Sequence, residues 1–143
     1  MVVAVVGPGD ATLPEAYDVG RLLASSGAVV VTGGLGGVME EASRGASSAG
    51  GVVVGLLPGL DRADANPYVS VAIPTGLGEL RNGLIVRACD AMVAVGGGYG
   101  TLSEIALALR AAKLVVGVGT WDVEGVVAVA SAAEAVERVF ATS

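Results

Sequence analysis

Five short Val-rich runs constrain this chain more than anything else in it. Val2–Val6, Ala28–Thr32, Val52–Leu57, Ala91–Val95 and Leu114–Val118 each have the length of a strand, and each is apolar without alternation. Strands of that kind are covered on both faces, which is the condition of a parallel sheet sandwiched by helices. Helical spacing fills the gaps between them. Leu13 to Ser26 places Ala16, Val19, Leu22 and Leu23 on one face, with Gly27 in the C′ position. Val38 to Ala49 is helical with Met39, Ala42 and Ala46 on one side, and Gly50-Gly51 stops it. A further helix is expected over Glu79 to Cys89, another after the Ala91–Val95 strand, and a last one behind Ser131. Tyr68 to Ile73 and Val126 to Ala130 read as shorter strands, and the polar segment Leu60 to Pro67 as a loop over the sheet's edge. The expected fold is α/β: a single Rossmann-like domain over residues 1–143, its mostly parallel sheet carrying helices on both faces.

In such a sheet ligands sit outside the carboxyl ends of the strands. Three glycine-rich turns fall there: Gly7–Gly9, Gly33–Gly37 and Gly96–Gly100. Glycine lets backbone N–H groups approach a ligand, and a helix starting beyond the turn offers unpaired N–H groups to an anion. Neither familiar nucleotide pattern is met. The turns lack the third glycine of the dinucleotide fingerprint, and the second strand ends in Thr32-Gly33 rather than an acid. The only lysine, Lys113, is far from any turn that could form a Walker loop. What remains is a phosphate held mainly by backbone, with Arg81 as a candidate side-chain partner.

Thr101 and Glu104 stand at the spacing of a capping box, so Glu104 is expected either to cap its helix or to act in chemistry. Asn82 and Arg87 read equally well as solvated, Asp90 as a local cap or pair, and Cys89 as a small core residue.

Composition removes other chemistries. There is no histidine and one cysteine, so no Ser-His-Asp or Cys-His site, no disulfide within the chain and no expected metal site. A net charge of -6 argues against nucleic acid. No apolar run reaches the length of a membrane span, and Met1–Gly7 has no basic region of a signal peptide, so the expected location is cytoplasmic.

Gly97-Gly98-Tyr99-Gly100-Thr101-Leu102-Ser103-Glu104 resembles the PGGxGTxxE signature of the lonely-guy family, whose members are often mislabelled lysine decarboxylases. Thr32–Met39 is similar to that family's first glycine motif and Gly51–Pro58 to the strand that follows it, while Arg81 and Asp90 fall on its arginine and aspartate. The resemblance runs from about Val2 to Val118. Two positions depart from the pattern: Gly96 stands for the proline and Asn82 for the usual lysine. With Asn66-Pro67-Tyr68 and Pro74-Thr75-Gly76, they look more like the short sister branch that includes molybdenum-cofactor carriers.

The resemblance implies two readings. In the hydrolase branch Arg81 would orient a nucleoside 5′-monophosphate and Glu104 would act at its N-glycosidic bond as a phosphoribohydrolase. In the carrier branch the same glycines would hold the phosphate of a pterin cofactor and no bond need break. In either, the expected ligand-binding residues are Gly7, Gly33, Gly34, Gly36, Gly97, Gly98, Gly100 and Thr101, supported by Asn82 and Met39. No cofactor is required for chemistry; the ligand is a nucleotide or the molybdenum cofactor. True lysine decarboxylation would need a Schiff-base lysine, and Lys113 is remote. The family's habit of forming dimers or tetramers implies a homodimer or homotetramer.

Overall fold

The computed structural model describes residues 1–141. Seven strands form one sheet: β1 (Val2–Val6), β2 (Val29–Thr32), β3 (Val53–Leu57), β4 (Val71–Pro74), β5 (Ala91–Val95), β6 (Leu114–Val118) and β7 (Val127–Val129). Every pairing is parallel, in the order β4-β3-β2-β1-β5-β6-β7. Five helices accompany them: α1 (Pro14–Ser25), α2 (Val38–Ser48), α3 (Arg81–Ala88), α4 (Tyr99–Arg110) and, after the last strand, α5 (Ala132–Ala141). This is the expected α/β architecture, helices on both faces included.

Two apolar layers show why the strands lack alternation. Val3, Val5, Val93 and Val95 join Ala16, Val19, Leu23, Val38, Ala42 and Val136 on the α1, α2 and α5 side. Ala4, Val6, Met92 and Ala94 join Ile85, Val86, Ile105 and Ala108 beneath α3 and α4. Helices α1 and α2 meet at backbone distance. A Cβ on Gly20 would lie 2.0 Å from the Ala42 carbonyl oxygen, and one on Gly45 would lie 2.0 Å from that of Tyr17. Only glycine permits that approach.

Some boundaries differ from the sequence reading. The strand expected over Tyr68 to Ile73 starts at Val71, because the Asn66 side chain turns the chain first by accepting from the Tyr68 amide at 3.0 Å. The helix expected over Glu79 to Cys89 opens as a 3₁₀ turn, Gly78–Leu80, and becomes α-helical at Arg81. Ser131 caps α5 as expected, its Oγ accepting from the Glu134 amide at 3.2 Å. Asp90 does not pair locally. Its carboxylate accepts from the Val2 amide at 2.8 Å, closing β1 onto β5 at the edge where both strands begin.

Lys113 is likewise occupied at that edge, donating to the carbonyls of Val86 (2.6 Å) and Cys89 (2.5 Å) behind α3. Cys89 is buried in the core, and burial raises its thiol pKa. Among the described residues no helix is long and apolar enough to cross a membrane.

Candidate functional site

The chain runs outward from β1 through β2 and β3 to β4, then returns to place β5 on β1's other side. The crevice at the carboxyl ends of β1 and β5 is therefore the topological switch point, where open α/β sheets bind ligands. A cleft of about 440 Å³ opens there, within the range of small-molecule sites. Of the expected residues, Gly7, Gly33, Met39, Arg81, Asn82, Gly98, Gly100, Thr101 and Glu104 line it. Gly34, Gly36 and Gly97 do not. Gly34 has φ +78° and packs toward Leu57, Gly36 lies against the Gly9 carbonyl, and Gly97 faces Trp121.

The three glycine turns divide the work. Gly7 serves packing: a Cβ there would stand 2.3 Å from the Val95 carbonyl and 2.5 Å from Val38. The β2 turn is tied to the β1 turn, because the Val38 amide at the start of α2 donates to the Pro8 carbonyl at 3.1 Å. Asn66, absent from the expected site, fixes this turn: its Nδ2 donates to the Leu35 carbonyl at 3.0 Å and its amide to that of Gly34 at 2.8 Å.

The β5 turn presents a run of free donors at a helix start. Gly98 is the N-cap of α4, with φ 110° and ψ 150°, a region effectively reserved for glycine. The amides of Tyr99, Gly100 and Thr101 follow it and have no acceptor among the described residues. They open on the cleft together with the positive end of a twelve-residue helix, a site suited to an anion.

This geometry corrects the capping-box expectation. Because Gly98 is the cap, Thr101 already lies inside α4, and Glu104 sits beyond the first turn, where no backbone amide remains to be capped. Gly96 has φ +77° and its amide donates to the Val118 carbonyl at 3.2 Å. Proline could supply neither feature, so the departure from the lonely-guy signature marks a differently shaped turn.

Arg81 is 9% exposed and its guanidinium is held by the protein. Nε donates to the Leu56 carbonyl at 2.8 Å, one terminal nitrogen to Asn82 Oδ1, and the other to the Gly33 carbonyl at 3.4 Å. Gly33 makes that possible, since a Cβ on it would stand 2.5 Å from the guanidinium. Burial lowers the Arg81 pKa, and the charge of Glu104 partly opposes this. Glu104 is 7% exposed and faces the same cleft. Burial raises its pKa to about 7 against the pull of Arg81. The ion pairs among the described residues are Asp18–Arg21 and Glu41–Arg44, so Arg81 and Glu104 act on each other only through space.

The cleft also contains Pro8, Gly9, Asp10 and Tyr99, which are not among the expected ligand-binding residues. Tyr99 occupies the variable position of the glycine signature, so no motif marks it. Its stacking partner Trp121 does leave a trace, as the only tryptophan in an aromatic-poor chain. Among the described residues no three His, Cys, Asp or Glu side chains gather as a metal site.

Comparison with known proteins agrees with this fold. The model of the SLOG cluster4 family matches residues 1–142. A protein of Archaeoglobus fulgidus is 47% identical over 118 residues, covering 80% of this chain and 78% of the relative. The molybdenum cofactor binding protein of Rippkaea orientalis superimposes with a TM-score of 0.93 at 37% identity, covering 99% of this chain and 96% of that one. The molybdenum cofactor carrier protein of Chlamydomonas reinhardtii gives 0.89 at 36% identity, covering 98% and 96%.

Proposed function

Since the chain belongs to the SLOG cluster4 family, we propose that it binds a phosphorylated pterin-type ligand, the molybdenum cofactor foremost, and serves as a carrier or store for it. One observation carries this reading. The free amides of Tyr99, Gly100 and Thr101 form an anion cradle, while the neighbouring cation, Arg81, is held by protein acceptors. A phosphate can be taken up there by backbone donors without rearranging the site. The likeness to the Rippkaea and Chlamydomonas proteins supports the choice of ligand. With no histidine and only the buried Cys89, the protein offers the metal no imidazole and no exposed thiolate.

A second reading, hydrolysis of a nucleoside 5′-monophosphate, draws on Glu104. A cleft carboxyl with a pKa of about 7 is suited to proton transfer at neutral pH. Water would add to the ribose C1′ as its bond to the base nitrogen breaks, with Glu104 activating the water or stabilising positive charge at the sugar.

A single preparation tests both. The purified protein is incubated with molybdenum cofactor and passed through gel filtration, and retained molybdenum and oxidised-pterin fluorescence are measured. Parallel incubations with nucleoside 5′-monophosphates are analysed for free base. Retention of metal and pterin without base release is the expected result. Loss of both on the column sinks the carrier reading, and base release by the wild type but not by Glu104→Gln establishes the hydrolase in its place.

A further inference from the structure

We propose that Tyr99, seated on Trp121, is the stacking face that selects ligands carrying a planar heteroaromatic ring. This deepens the reading of the cleft as a site for a phosphorylated ligand and rests on it. The chain has only one Trp, three Tyr and one Phe, yet Tyr99, a cleft residue, stacks on Trp121. Their ring centroids are 6.0 Å apart with planes inclined by 25°, a favourable offset stack. Trp121 is fixed from below, its indole Nε1 donating to the Gly98 carbonyl at 2.8 Å.

Gly98 is the residue from which the amide cradle springs, so cradle and platform share one anchor. Tyr99 is still 84% exposed with Trp121 against it, which leaves most of its ring open. The Tyr99 amide is one of the cradle donors, and Tyr99 is among the residues that line the cleft. A ligand whose phosphate sits on the amides is thereby brought beside an aromatic face, on which a base or a pterin stacks regardless of its exact substituents.

The test compares two ligands that share a phosphate and differ by a ring, GMP and ribose 5-phosphate. Guanine carries the same amino-pyrimidone ring as a pterin. Isothermal titration should show GMP binding roughly tenfold more tightly than ribose 5-phosphate to the wild type, the size of one stacked base. GMP alone should quench the fluorescence of Trp121, the only tryptophan. Tyr99→Ala should bring the two ligands to equal affinity, and Tyr99→Phe should keep the preference. Equal affinities in the wild type, or a preference that survives Tyr99→Ala, would overturn the stacking role and leave the phosphate cradle standing. Failure of both ligands to bind would overturn the cradle as well.

Discussion

Glu104 couples the candidate site to pH. Its carboxyl has an ordinary value of 4.5 and reaches about 7 in the fold, so between those values the native state holds a proton that the unfolded chain has released. Stability contributed by the neutral form is complete below about pH 4.5 and disappears as pH rises through about 7. The difference amounts to something on the order of 3 kcal/mol. Glu104→Gln removes the titration while keeping the shape. In urea unfolding, the variant should match the wild type near pH 5 and exceed it at pH 8. Parallel pH profiles of the two proteins would contradict the buried, proton-binding role. Arg81 does not remove this dependence, because its guanidinium is engaged by Leu56, Asn82 and Gly33 instead of the carboxylate.

Among the helices, the close seam between α1 and α2 shows how glycine can oppose its own propensity. Ala is a better helix former than Gly by roughly 1 kcal/mol, yet a Cβ on Gly45 meets the Tyr17 backbone at 2.0 Å. Gly83, in α3, has nothing within 4 Å of the same construction. Gly45→Ala should therefore destabilise by about 2 kcal/mol or more as the helices are forced apart, whereas Gly83→Ala should stabilise by roughly 1 kcal/mol. Denaturant midpoints measure both. Equal shifts of the same sign would show that propensity, and not the helix contact, governs Gly45. The seam matters for function because α2 begins against the Pro8 carbonyl and holds the β1 turn beside the cleft.

Across the whole molecule, the cleft is assembled from turns that lie far apart in the chain and meet where β5 returns to β1. A ligand held there bridges Gly7–Asp10 and Gly98–Thr101, while the opposite edge of the sheet, closed by Asp90 and Val2, remains untouched. Amide hydrogen exchange should accordingly slow on addition of GMP at Tyr99, Gly100 and Thr101 and in the β1 turn. Protection spread evenly to Val2 and the start of β5 would instead indicate global stabilisation. The net charge of -6 makes the local arrangement decisive, since the protein as a whole repels an anion while the helix end, its amides and Arg81 attract one.

How much of this was legible beforehand follows from the range of the forces involved. The strands β5 and β6, the glycine turns and the Ser131 cap could be read directly, because apolar runs, missing Cβ atoms and short-range capping are properties of neighbouring residues. The placement of Arg81 and Glu104 in one cleft came from the motif resemblance and agrees with the structure. The sequence by itself thus determined a parallel sheet covered on both faces, with glycine-rich turns at the strands' carboxyl ends. Tertiary structure decided how those turns are joined, since the amide of Val38 is taken by the carbonyl of Pro8, distant in sequence and adjacent in space. It also decided that Glu104 is no cap, that Asn66 holds the β2 turn, and that Tyr99 and Trp121 share a stack. Each depends on where a hydrogen-bond partner or a packing surface lies after the sheet has closed, which spacing along the chain does not encode.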